Sequence, residues 1–381
     1  MVAPSRRGAI PPFQVMEVMR AAAARQASGE DVFHLEVGQP STGAPRGVVR
    51  AAAAAIDDDV LGYTLALGLE PLREAISQHY RDFYGLQIPV ERIVVTTGAS
   101  GAFLLAFLAA FDAGDRVALA LPGYPGYRHI LSALGNRPVT IPTGPASRYQ
   151  PSVALLEQLD EPIDGLIVAS PSNPAGTMIP RREFADLIAY CERNGIRMVS
   201  DEIYHGITYG EPAVSAAAFS DKAVVINSFS KYFSMTGWRL GWMVAPEDLL
   251  RSVESLAQNL FISPPTLSQH AAIAAFDCHE ELQANIERYA RNRALLLEAL
   301  PKAGFDTLAP ADGAFYLYAD VSHMTNDSQD FCRRMLEETG VAATSGIDFD
   351  PLRGNANVRF SFSGSTEDMA EAAKRLRNWR R

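Results

Sequence analysis

The 381-residue sequence predicts an α/β protein with a large domain and a smaller α+β domain. The large domain carries a mostly parallel sheet between helices. Two observations predict this. In the middle of the chain, short continuously apolar runs alternate with helical ones, as in a parallel sheet covered on both faces. Toward the ends the pattern changes to long charged helices with shorter strands, which suits a second domain built from both termini.

The elements follow in order. Residues 1–45 carry one helix, at 12–28, and an irregular approach segment. Residues 92–97 (RIVVTT) form a buried strand, followed by Gly98-Ala99-Ser100-Gly101 and an apolar helix (AFLLAFLAAF). The next strand, 116–120, stops at Pro122-Gly123. Strand 165–169 (GLIVA) follows, and strand 196–200 (IRMVS) comes after a helix at 182–193. Strands 223–227 (AVVIN) and 240–244 complete the central series. From about Cys278 charged helices lead to strands at 314–318 and 358–362, and an amphipathic helix at 366–380 closes the chain. The large domain is expected at 46–277, and the small one at 1–45 with 278–381.

Composition excludes several functions. The charge sum is 34 − 44 = −10, which argues against nucleic acid and anionic lipid as main partners. Cys191, Cys278 and Cys332 are far apart and form no CxxC pair, so neither a disulfide framework nor a metal knuckle is expected. No metal is expected, and a reducing cytoplasm fits best. The opening MVAPSRRGAI lacks an apolar stretch after its arginines, so no signal peptide is expected. The longest apolar stretch, near 102–111, is far short of the roughly 20 residues of a membrane span.

In open parallel sheets, ligands bind beyond the carboxyl ends of the strands. Gly98-Ala99-Ser100 opens a helix there, so free backbone N–H groups and a hydroxyl offer an anion site. An ordinary glycine turn with a cap has the same sequence. Ser170-Pro171-Ser172-Asn173-Pro174-Ala175-Gly176 follows the GLIVA strand. Asn173 sits between two prolines that stiffen its backbone, and the bond to Pro174 is of the kind that can be cis. Asp201-Glu202-Ile203-Tyr204 follows the next strand, where Asp201 is either a helix cap or a functional carboxylate. After the AVVIN strand come Ser228-Phe229-Ser230-Lys231 and then Gly237-Trp238-Arg239-Leu240-Gly241. A lysine set among small and aromatic residues has its pKa depressed by burial, and a neutral amine attacks carbonyls. Arg239, eight residues on, can bind phosphate or lower that pKa further. Any one feature can arise by packing alone, but all of them on successive strand ends are hard to obtain that way.

These residues resemble the fold-type I, class I/II pyridoxal-phosphate (PLP) aminotransferases, the aspartate aminotransferase-like group. Ser228-x-Ser230-Lys231 with Gly237-x-Arg239-Leu240-Gly241 is similar to the family's lysine motif. Val37-Gly38-Gln39-Pro40 resembles its substrate loop, and 63–76 (YTLALGLEPLREAI) the segment with an invading tyrosine. Pro171 to Gly176 resembles its Asn-Pro turn, Gly313-Ala314-Phe315-Tyr316 a small-domain strand, and Val358-Arg359-Phe360-Ser361-Phe362 the strand with the carboxylate-binding arginine.

The resemblance implies a seven-stranded type of sheet and a set of roles. Lys231 would carry PLP as a Schiff base and move the proton between the substrate Cα and the cofactor. Asp201 would pair with the pyridinium nitrogen. Tyr204 and Asn173 would bond the ring 3′-oxygen. Ala99, Ser100, Ser228 and Arg239 would hold the phosphate, and Tyr124 would stack on the ring. Arg359 would take the substrate carboxylate as a bidentate fork, with Gly38 allowing close approach and Asn173 nearby. Tyr63 would reach the phosphate of a neighbouring subunit, so a homodimer with shared sites is implied.

The sequence departs from the family in places. Tyr124 stands where many relatives have tryptophan. Ser100 stands where some aspartate-preferring relatives have lysine, and Ser345-Gly346 replaces a common Pro-Gly. Pro11, Pro12 and Phe13 are expected to close over the site, and Val15 to belong to a docking arm. A neutral or aromatic amino donor is therefore favoured over a dicarboxylate.

The expected function is transfer of the amino group of an L-amino acid to a 2-oxo acid in a ping-pong cycle. A C–S β-lyase or other reaction of the same cofactor carbanion is the alternative. A non-catalytic binding protein on this fold is a further one. It has little support, because only about 30 residues precede the Gly38 loop, too few for a DNA-binding domain. Neither a GxxxxGK[ST] nor a GxGxxG pattern follows the first strand.

Overall fold

A seven-stranded sheet organises the middle of the chain in the computed structural model, which describes residues 5–379. In chain order the strands are β1 (Ile93–Thr96), β2 (Arg116–Leu121), β3 (Arg137–Pro142), β4 (Gly165–Ala169), β5 (Arg197–Asp201), β6 (Val224–Ser228) and β7 (Gly241–Val244). Their lateral order is β1-β7-β6-β5-β4-β2-β3. Only β7 runs against its neighbours, pairing antiparallel with β1 and with β6, where Ser228 lies opposite Gly241. The other pairs are parallel.

Strands β4 to β7 are largely apolar and almost wholly buried because helices cover both faces of the sheet, with polar residues such as Asp201 and Ser228 at their carboxyl ends. The Gly98–Ala110 helix is apolar all round and packs between the sheet and the Glu247–Leu260 helix. That outer helix buries Leu249, Val253 and Ala257 along one stripe and exposes its polar side.

Strand β3 was not expected. Pro138 and Pro142 disguise it, since prolines interrupt a central strand. It lies at the sheet edge, pairs only with β2, and leaves most of its residues accessible.

A second, antiparallel sheet joins Thr307–Leu308, Tyr316–Asp320, Asn357–Ser361 and Thr344–Ser345. The strand expected at 314–318 starts later because Ala314 adopts φ +56° and its amide bonds Ile207 O. That segment bridges Gly313 to Thr208, away from the sheet. Phe33–His34 pairs in parallel with Val341–Ala342, so the two ends of the chain meet. Helices His279–Lys302 and Thr366–Asn378 pack together over this part. The first helix spans Gln14–Ala27, shorter than expected, because Phe13 is extended and Gly29 turns the chain at φ +87°. The last helix ends before an extended Trp379, and Arg380 lies outside the described residues.

The carboxyl ends of β4, β5 and β6 open toward the second sheet. The loops after β1 and β2 complete the same rim.

Candidate active site

The rim begins with an open helix end. Gly98 enters the helix at φ +71°, and no side chain caps that N-terminus. Its first N–H groups are therefore free to meet an anion. A Cβ on Gly98 would stand 2.6 Å from Arg239 Nη2, so glycine is what lets the guanidinium lie beside the helix end. Arg239 is anchored by Nη1 donating to Thr236 O at 3.0 Å. The Ser228 hydroxyl donates to Ser230 Oγ at 3.0 Å and also accepts from the Ser230 amide. Guanidinium, hydroxyls and helix end together form an anion cradle.

Lys231 lies half-buried beside it, and its Nζ donates to Gly38 O at 2.5 Å. Burial first, then the cations of Arg359 and Arg239, bring its pKa down to about 8, while Asp201 pulls the other way. The neutral, nucleophilic amine is therefore far more accessible near pH 7 than for an ordinary lysine, although the protonated form still predominates there.

Asp201 ends β5 and is 3% exposed. It caps no helix: Oδ1 accepts from the Ile203 amide at 3.1 Å, and a turn follows. Burial raises its pKa to about 6, held from rising further by a hydrogen bond from Tyr127, the Ile203 amide and Lys231. Tyr127 was missed in the sequence. It stands one turn past Tyr124 on the Pro125–Leu134 helix, so i,i+3 spacing was the only available signal.

Arg359, in the second sheet, is 3% exposed. Nη1 donates to Asn173 Oδ1 at 2.9 Å and Nη2 to Glu36 O at 2.5 Å, with Thr344 Oγ1 at 3.3 Å. Nε has no partner. The guanidinium is sandwiched between the Tyr316 and Phe349 rings, 4.4 and 4.7 Å from their centroids. Its partners are neutral, so a buried cation faces the cavity with no carboxylate on it, a receptor for one. The Asn173–Pro174 bond is cis. The Tyr204 hydroxyl lies 2.7 Å from that of Tyr316.

One cavity of about 280 Å³ gathers Gly38, Ala99, Ser100, Tyr124, Asn173, Asp201, Tyr204, Ser228, Lys231, Arg239 and Arg359. Tyr63 lines none of it and is 83% exposed. Val15, expected in a docking arm, instead lines this cavity with Ile130. The reason lies in contacts distant in sequence: the first helix starts at the cavity mouth, and Phe13 stacks on Tyr124 with ring centroids 5.9 Å apart. Among the described residues no His, Cys, Asp or Glu cluster could hold a metal ion, and no helix is long and apolar enough to cross a membrane.

The family model "Aminotransferase class I and II" matches residues 30–376. The chain belongs to this family. This aminotransferase is similar to a valine–pyruvate aminotransferase of Mycobacterium tuberculosis, with 52% identity over 98% of the chain and 97% of the relative. It is 33% identical to a (5-formylfuran-3-yl)methyl phosphate transaminase of Methanocaldococcus jannaschii, over 96% of each. A crystal structure of an aminotransferase from Mycobacterium tuberculosis superposes with a TM-score of 0.98 at 51% identity, covering 100% of this chain and 99% of the other. The fold is that of the type I PLP-dependent aminotransferases, and the enzyme moves an amino group from an amino acid to a 2-oxo acid.

Proposed function

We propose that this aminotransferase uses a neutral aliphatic L-amino acid as donor and holds PLP on Lys231. One observation carries the donor reading. The cavity has three cations, Lys231, Arg239 and Arg359, and an apolar wall at Val15 and Ile130. The first two cations face the amine and anion positions, and Arg359 suits the α-carboxylate. Among the described lining residues no further cation remains for a side-chain carboxylate. The valine-named relative supports the same class.

The residues fit a phosphorylated pyridine aldehyde. The uncapped helix end at Ala99 and Ser100, with Ser228 and Arg239, would hold the phosphate. Asp201, buried and near pKa 6, would keep a ring nitrogen protonated. Tyr204 and Asn173 would bond the ring oxygen, and Tyr124 would lie on the ring face. When bound, PLP supplies an electron sink for the carbanion at the donor Cα. Lys231 would hold the aldehyde group, and its amine would carry the proton at the donor Cα. Arg359 orients the donor carboxylate over this amine, with Gly38 leaving room for it. Tyr124 and Phe13 cover the mouth and exclude water.

A homodimer is part of the proposal. Val60, Tyr63 and Leu65 on one loop, with Leu260 and Ile262 at the end of the Glu247–Leu260 helix and just past it, are exposed large hydrophobic side chains. Thr266 Oγ1 donates to Gly62 O at 2.6 Å, and Gln269 Nε2 to Thr64 Oγ1 at 3.1 Å, tying the 60–65 loop to the Thr266–Ile273 helix that follows Ile262. Tyr63 would extend from that loop into a partner's site. The division into 46–277 and 1–45 plus 278–381 is proposed on the same terms, supported by the strand pair between the chain ends. Free Cys191, Cys278 and Cys332 support a reducing cytoplasm.

The test is a single-turnover screen of PLP-loaded enzyme against each L-amino acid. Loss of the yellow band is expected with aliphatic donors well before aspartate. Faster reaction with aspartate rejects the donor reading. Borohydride fixation of the cofactor in Lys231→Ala rejects the attachment site.

A further inference from the structure

The cavity wall at Val15 is held from far away in the chain. Phe13 occupies the cap position of the first helix but its side chain caps nothing. The cap comes instead from Asp348, which is 4% exposed on the Gly346–Asp348 turn. Its Oδ1 accepts from the Gln14 amide at 3.2 Å and its Oδ2 from the Val15 amide at 3.4 Å. The carboxylate thus spans both free N–H groups at the start of the helix.

The turn that carries Asp348 is fixed on two other sides. Arg128 Nη2 donates to Asp348 O at 2.6 Å, the Gly123 amide to Phe349 O at 3.1 Å, and Arg353 Nη2 to Leu121 O at 2.8 Å. These bonds tie it to the segment that presents Tyr124 and Tyr127. Phe349 lies under the Arg359 guanidinium. One short turn therefore references the apolar wall to Tyr124, to the Tyr127 that holds Asp201, and to Arg359.

We infer that Asp348 is a positioning residue for donor selectivity: it fixes Val15 at the height that a compact aliphatic side chain fills. Asp348 is not among the residues that line the cavity. It acts through the helix end. Without it the wall swings away, compact donors lose contact, and bulkier ones gain room. This rests on the reading that the cavity takes the donor side chain.

The test compares wild type, Asp348→Ala and Gln14→Pro as PLP-loaded enzymes. Gln14→Pro removes one of the two N–H donors while leaving Asp348 intact. Proline suits the first helical position, and the extended Phe13 before it is compatible. Loss of a helix cap corresponds to about a five- to tenfold effect, so KM for the best compact donor should rise by that factor in Asp348→Ala, with a smaller rise in Gln14→Pro. kcat should stay within about threefold, and the preference for that donor over phenylalanine should narrow by about the cap factor.

Hydrogen exchange of the 14–18 amides should accelerate in Asp348→Ala. Unchanged exchange overturns the cap, and faster exchange with an unchanged donor ratio overturns the selectivity role. The compact donor is taken as whichever one the wild type turns over fastest. A failed valine-class reading, seen in the wild type alone, is thereby distinguished from a failed Asp348 role.

Discussion

The Tyr127 hydroxyl donates to the carboxylate of Asp201, buried at the end of β5. Asp201 thereby keeps its charge in a site whose burial opposes it. Tyr127→Phe removes that donor, so the Asp201 pKa should rise above about 6. A hydrogen bond to a charged group contributes about 1.5–3 kcal/mol, so PLP retention should fall roughly 10-fold or more. Cofactor dissociation followed by fluorescence measures this. Unchanged retention would show that Asp201 does not depend on Tyr127.

Arg359→Lys keeps the charge and loses the planar fork. Losing a hydrogen bond to a charged group costs about 1.5–3 kcal/mol, so kcat/KM should drop by at least about 10-fold, mostly through KM. A change confined to kcat would place the substrate carboxylate elsewhere.

Lys231 lies near pKa 8 and Asp201 near 6. The neutral amine grows as pH rises through its pKa, so capture of free PLP by apo-enzyme should accelerate from pH 6, reach half its maximum near 8 and level off roughly one pH unit higher. A rate flat between pH 6 and 9 contradicts a cation-lowered Lys231.

Glu202, next to Asp201, is buried, and its Oε2 makes no hydrogen bond, lying 3.5 Å from His205 Nδ1. Burial raises its pKa to about 8 from 4.5. The folded chain holds this proton where the unfolded chain has lost it, so its contribution to stability is complete below 4.5 and is lost as pH rises to about 8. Glu202→Gln, which cannot ionise, should show a smaller fall in melting temperature from pH 5 to pH 8.5 than wild type. Parallel curves would mean Glu202 is not protonated in the fold.

A Cβ at Gly38 would stand 2.2 Å from the Tyr316 hydroxyl. Gly38→Ala should therefore push Tyr316 off Tyr204 and depress kcat/KM. Adding Tyr316→Phe removes the clashing oxygen and should recover part of the loss. A double variant worse than the single one would show that the hydroxyl pair, and not space, is what Gly38 protects.

The central strands were legible because both faces are buried, which writes continuous apolar runs. Edge strand β3 was not, since solvent on one side lets prolines and polar residues stand in it. Lys231, Asp201 and Arg239 were legible because they follow such strands at fixed offsets. Arg359 depended on resemblance, because a lone arginine on a strand carries no local signal of burial. Tyr127 and Asp348 were hidden for a different reason. Each acts on a partner distant in sequence, and Asp348 caps a helix 334 positions away. Val15 was misjudged with it, since nothing local says which way that helix end is held.

The antiparallel pairing of β6 with β7 carries one more consequence. Ser228 sits opposite Gly241, so the chain between them is a closed ring fastened at its neck. Lys231 and Arg239 are both beads on that ring. Its circumference is a caliper that sets amine against guanidinium, and adding or deleting a residue anywhere on it would reset the span. The two groups can tolerate drift in the surrounding helices, but not in the number of residues between them.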